Sequence, residues 1–115
     1  MPGHNVELGR RGEDLAAAAY EQQGYRVLAR NWRDGRAGEL DLVLAQGRQL
    51  VVCEVKTRSS TRFGVPAEAV NWRKQMRLRS LAAAFVRAHG LRPAGIRFDV
   101  AAVLGDRVDI LEAAF

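Results

Sequence analysis

Glu54 and Lys56 stand two residues apart in Leu50-Val51-Val52-Cys53-Glu54-Val55-Lys56, a run that is otherwise apolar. Glu39 and Asp41 interrupt a second such run just upstream, Gly38-Glu39-Leu40-Asp41-Leu42-Val43. Carboxylates bind hard divalent cations through oxygen. A lysine beside them can shift its pKa and join in proton chemistry, whereas an arginine holds its proton at any ordinary pH. The chain has sixteen arginines and only two lysines, Lys56 and Lys74, so a lysine at this position is distinctive. These residue types suit a metal-dependent site that cuts phosphodiesters.

The spacing adds a geometric argument. Gly47-Arg48 suits a two-residue hairpin turn, with glycine at the first central position as type II′ prefers. Gln46 then pairs with Gln49, Asp41 falls opposite Glu54, and Glu39 falls opposite Lys56. Side chains alternate along a strand, so all four charged residues share one face. Leu40, Leu42 and Leu44 share the other with Val51, Cys53 and Val55. Opposed β-carbons sit roughly 4.5–5.5 Å apart. Two carboxylates at that separation repel unless a proton or a cation lies between them. The competing arrangement is an ion-pair ladder, with Lys56 bridging Glu39 and Glu54 and Asp41 at a solvated strand end.

Other elements must hold this hairpin. Residues 7–23 read as an amphipathic helix, with Asn5 as N-cap and Gly24 as its stop. Alternation predicts a strand over 25–32, and the hairpin strands span 38–45 and 49–57. Residues 58–64 read as a polar loop, and Pro66 suits a first helical turn. Asn71 is placed to cap a second long helix over 72–89. Strands over 96–104 and 108–111 follow, joined by Gly105-Asp106. The order is α-β-β-β-α-β-β, with no internal repeat.

Bulk properties bound the rest. At 115 residues the chain suits one domain with one core. The single cysteine, Cys53, rules out an internal disulfide, and no Cys/His spacing suggests zinc. No apolar stretch approaches the roughly 20 residues of a membrane span. The N-terminus lacks a basic-then-apolar signal, which makes the cytoplasm the expected compartment. The net charge of +5, carried almost wholly by arginine, fits a polyanionic partner.

Asp41 with Glu54-Val55-Lys56 resembles the PD-(D/E)xK signature of restriction-endonuclease-like nucleases. The resemblance narrows to the YraN-like family, which is similar to archaeal Holliday junction resolvases. Four runs carry it in order: Gly9-Arg10-Arg11-Gly12-Glu13, Gly38-Glu39-Leu40-Asp41-Leu42, Val52-Cys53-Glu54-Val55-Lys56-Thr57-Arg58 and Arg97-Phe98-Asp99-Val100. The proline that precedes the first aspartate in the superfamily's signature is replaced by Leu40. The implied fold is a central mixed β-sheet flanked by helices.

The resemblance also implies roles. Asp41 and Glu54, with the Val55 carbonyl, would hold Mg²⁺ or Mn²⁺, polarising the scissile phosphate of DNA and lowering the pKa of a water. Lys56 would orient that water or stabilise transition-state charge. Glu13 would reach the sheet as an outer ligand, Gly9 and Gly12 allowing a close approach; otherwise it pairs with Arg10 or Arg11. Glu39 would steady Lys56, and Lys74 or Gln75 would support the site from the second helix. Asp99 is expected to pair with one of the basic residues opening that helix, or with Arg97 alone. Arg10, Arg11, Arg58, Arg62, Arg73 and Arg77 would contact phosphates, which positions DNA without reading sequence. Trp32 and Trp72 are residues that either stack on bases or pack internally, and packing is the commoner role.

The implied activity is a metal-dependent endonuclease for branched or structured DNA, resembling Holliday junction resolvases. Such enzymes cut two strands symmetrically, which implies a homodimer. The alternatives are a non-catalytic DNA-binding protein and an accessory protein, each retaining the nuclease fold.

Overall fold

The structure is a computed structural model that describes residues 2–58 and 70–115, with side chains from residue 7 onward. The expected polar loop after Arg58, with Arg62 and Pro66, lies outside the described residues. Seven elements appear in the expected order: α1 (Pro2–Gln22), β1 (Arg26–Arg33), β2 (Glu39–Gln46), β3 (Gln49–Arg58), α2 (Trp72–Ala88), β4 (Gly95–Leu104) and β5 (Arg107–Leu111). No helix among the described residues is long and apolar enough to cross a membrane.

The strands form one sheet in chain order, β1-β2-β3-β4-β5. Three neighbouring pairs are antiparallel; β3 and β4 run parallel, so the sheet is mixed. Parallel neighbours need a long crossover, and α2 lies on that connection. Each helix covers one face. Ala16, Ala17 and Tyr20 of α1 pack on Leu42, Leu44, Val51, Cys53 and Ala101. Leu78, Leu81, Ala82 and Phe85 of α2 pack on Leu40, Val43, Leu50, Val52, Phe98 and Val100.

Local chemistry explains the boundaries. Helix α1 starts at Pro2, where a missing N–H costs nothing, so Asn5 lies inside the helix and is not its cap. Asn71 does cap α2: its side chain accepts the Lys74 N–H at 2.9 Å. At the hairpin, Gln46 pairs with Gln49, and Gly47 adopts φ +59, the left-handed value that a first central glycine supplies.

The expected pairing and facing of β2 fail at its start, where Asp41 does not pair with Glu54 nor Glu39 with Lys56. Leu40 does not share a face with Leu42 and Leu44; it packs beneath α2 while they pack beneath α1. The β2–β3 ladder ends at the pair Leu42–Cys53. Beyond it β2 stays paired only to β1, through Trp32–Leu40 and Arg33–Glu39. Released from β3, the strand breaks its alternation at Asp41.

Candidate active site

The opening of the hairpin defines the site. Where the next backbone pair would form, the Asp41 carboxylate instead accepts the Val55 N–H at 2.9 Å. This turns Asp41 onto β3 between Cys53 and Lys56, and toward Glu54. Glu54 is one of two buried acidic residues in the described core, and it lies on the α2 side of the sheet. Burial first, and the charge of Glu54 next, push the Asp41 carboxyl up to about 7, while the Val55 N–H pulls it down. Two carboxylates held this way have a reason to take up a cation.

Both lysines of the chain reach Glu54. Lys74 Nζ lies 3.1 Å from Glu54 Oε1, and Lys56 Nζ lies 3.8 Å from the same oxygen. Burial and the neighbouring Lys74 lower the Lys56 ammonium, against the pull of Glu54. Burial also lowers Lys74, but the charge and hydrogen bond of Glu54 outweigh it, so its net shift is upward. Sequence counting could join Glu54 to Lys56; only α2 folding across the sheet brings Lys74 there.

Glu13 approaches from the α1 side. It accepts a hydrogen bond from Asn31 Nδ2 at 3.1 Å, lies 4.0 Å from Arg30, and adds to the negative field on Asp41. It pairs with neither Arg10 nor Arg11 among the described contacts. Gly12 explains its reach: a Cβ there would overlap Thr57 Oγ1, so α1 closes onto β3 beside Lys56. Gly9 meets nothing within 4 Å and makes no such approach.

Two supporting residues fall elsewhere. Glu39 pairs with Arg33 at 3.1 Å, because it sits opposite Arg33 on β1, beyond the point where β2 leaves β3. It does not steady Lys56. Gln75 donates to the Val70 carbonyl at 2.9 Å and ties down the entry to α2. Asp99 is fully buried and satisfied internally by Tyr20, Arg97 and the Ala113 N–H. That cluster braces β4 and the C-terminal segment and stands apart from the site.

The basic residues divide. Arg11 pairs with Asp106. Arg10, Arg73 and Arg77 are exposed, with Arg77 packed against Gly38, and Arg58 is half-buried at the end of β3. Trp32 packs edge-on against Phe85, as the commoner role predicts, whereas Trp72 is 71 % exposed in the first turn of α2.

Among the described residues, no three His, Cys, Asp or Glu side chains converge to hold a metal ion. The oxygen donors that the opened hairpin brings together are the carboxylates of Asp41 and Glu54. That set fits Mg²⁺ or Mn²⁺, since Mg²⁺ keeps several waters and uses one or two carboxylates. Two clefts, of about 320 and 280 Å³, lie away from the carboxylates, at the Gly47 turn and between Gly12, Thr57 and Asp106.

Comparison with known proteins shows the family. A family model described as "Uncharacterised protein family UPF0102" matches residues 12–103, a span that includes Glu13, Asp41, Glu54, Lys56 and Lys74. A UPF0102 protein of Frankia alni is 51 % identical over 113 residues, covering 94 % of this chain and 93 % of the relative. One from Moorella thermoacetica is 47 % identical over 113 residues, covering 93 % of each. One from Frankia casuarinae is 54 % identical over 93 residues, covering 81 % of this chain and 78 % of the relative. None of these names states an activity.

Proposed function

The chain belongs to the uncharacterised protein family UPF0102, the YraN-like family of the sequence resemblance, and from that premise we propose that it is a metal-dependent endodeoxyribonuclease for branched or structured DNA. The observation that carries this reading is the opened hairpin, in which Asp41 caps the Val55 N–H and faces Glu54 with Lys56 adjacent. A strand pair built only for stability would continue its backbone ladder here. It would not place two carboxylates where they repel.

Asp41 and Glu54 would hold Mg²⁺ or Mn²⁺, with Val55 contributing its carbonyl. The cation would supply Lewis acidity at the scissile phosphate. Lys56, fixed on β3 and largely screened from solvent, would stabilise charge developing on the phosphate oxygens. Glu13 would stay in the outer sphere, held by Asn31 and Arg30. Exposed Arg10, Arg73 and Arg77, with Arg58, would clamp the backbone of DNA. A homodimer would present two such sites to the two strands of a junction.

A second reading, a DNA-binding protein with a silent site, draws on one observation: no third acidic ligand joins Asp41 and Glu54 among the described residues. A metal-titrated cleavage assay on junctions, flaps and duplexes separates the two. The nuclease reading expects cleavage by the wild type, lost in Glu54→Ala and Lys56→Ala while DNA binding survives. Wild type cutting no better than those variants, with binding intact, selects the silent site. Failure to bind any of the three DNAs at low salt rejects both.

A further inference from the structure

Glu54 Oε1 faces two ammonium groups that are held differently. Lys56 belongs to β3 itself, and 18 % of its side chain is exposed; Lys74 belongs to the first turn of α2, and 34 % is exposed. The backbone under Lys74 is fixed, because Asn71 accepts its N–H and Gln75 ties the helix to Val70. Its four-carbon stem is the part free to move.

Charge counting gives that freedom a direction. With Asp41 and Glu54 ionised, the two lysines balance them without a metal. A divalent cation between the carboxylates would leave an excess of two positive charges, with the cation and Lys74 contending for one oxygen. Like charges about 4 Å apart in a half-buried setting repel strongly before screening. Lys74 is the more exposed of the two and makes the closer contact with Glu54. Lysine also suits displacement: a guanidinium would grip the carboxylate through two parallel hydrogen bonds, whereas an ammonium is a single point charge.

We propose that Lys74 is the built-in counter-ion of Glu54, that a divalent cation displaces it, and that the freed ammonium then binds a phosphate oxygen of the nucleic acid. The proposal rests on the metal-site reading of Asp41 and Glu54, and it adds that metal and phosphate bind with positive coupling. Lys74 is on this account a phosphate-binding residue, held in reserve on a metal ligand.

The test is Mn²⁺ binding without nucleic acid, read from the resonance of free Mn²⁺, for wild type, Lys74→Gln, Lys74→Arg and Glu54→Gln. Lys74→Gln is expected to bind Mn²⁺ about tenfold more tightly than wild type, Lys74→Arg no more tightly, and Glu54→Gln only weakly. A second readout needs no variant at the site to fold. Reductive ¹³C-methylation of the wild type marks its two lysine ε-amines, and Mg²⁺ should shift the Lys74 signal toward that of a solvated amine. If Lys74→Gln binds Mn²⁺ no more tightly than wild type while Glu54→Gln loses binding, the counter-ion role is overturned and the metal site stands. An unshifted Lys74 signal at saturating Mg²⁺ overturns it too. Wild type binding no better than Glu54→Gln overturns both the counter-ion and the metal site.

Discussion

Asp41 is held in a state that the fold alone does not favour. Its carboxyl is raised to about 7 from an ordinary value of 3.8, by burial first and by Glu54 next. A carboxyl whose folded pKa is raised keeps a proton that the unfolded chain releases. Between pH 4 and pH 7 the metal-free fold therefore loses stability as pH rises, and above pH 7 the loss is complete. Asp41→Asn removes the titration. Thermal unfolding without metal should show the variant more stable than wild type at pH 8, by about 1–3 kcal/mol, with the difference shrinking toward pH 4. A constant difference across that range would place the raised carboxyl elsewhere. Lys74 and Lys56 both stand against Glu54, whereas Asp41 has no such ammonium within ion-pair distance among the described residues.

Two glycines of α1 separate packing from propensity at the scale of the element. Gly12 lies against Thr57, and Gly9 lies in open space. Alanine favours a helix over glycine by about 1 kcal/mol at either position. Gly9→Ala should raise stability by about 0.5–1 kcal/mol, whereas Gly12→Ala should lower it by about 1–3 kcal/mol through overpacking against β3. Chemical denaturation of the two variants checks both signs. The same elements show what a sequence reader can and cannot see. Gly47-Arg48 determines the hairpin register because turn geometry is local, and Asn71 announces its helix for the same reason. The order of elements follows from alternation and helical periodicity, whereas the mixed sheet flanked by helices is legible only through the family resemblance. Counting could not see the ladder opening at Asp41, since there a side chain takes the place of a backbone acceptor. Glu39 turns to Arg33 because β1 lies on its other side, a neighbour that counting along the β2–β3 hairpin leaves out. Of the two candidates Lys74 and Gln75, it is Lys74 that meets Glu54; Gln75 bonds the Val70 carbonyl, and backbone acceptors leave no mark in a side-chain pattern. Lys74 finds its partner Glu54 only through the packing of α2 over the sheet, which local spacing does not encode.

The whole molecule carries a net charge of +5, with Arg10, Arg73 and Arg77 exposed and Arg58 half-buried. If these four neutralise four phosphates of duplex DNA, the logarithm of the binding constant should fall with the logarithm of salt concentration with a slope of about −4. Each arginine-to-alanine change should flatten that slope by about 1, and a titration at several salt concentrations measures it. Cys53 offers a different kind of measurement. It is the only thiol in the chain, it is fully buried in the central strand, and burial pushes it up to about 12. It also immediately precedes Glu54. A thiol reagent can reach it only when the middle of the sheet comes apart, so its rate of modification counts opening events of the strand that bears the candidate chemistry. Saturating Mn²⁺ should slow that modification in wild type and leave it unchanged in Glu54→Gln. The protein thus contains its own clock for how often its centre is exposed, readable with one reagent and no added label.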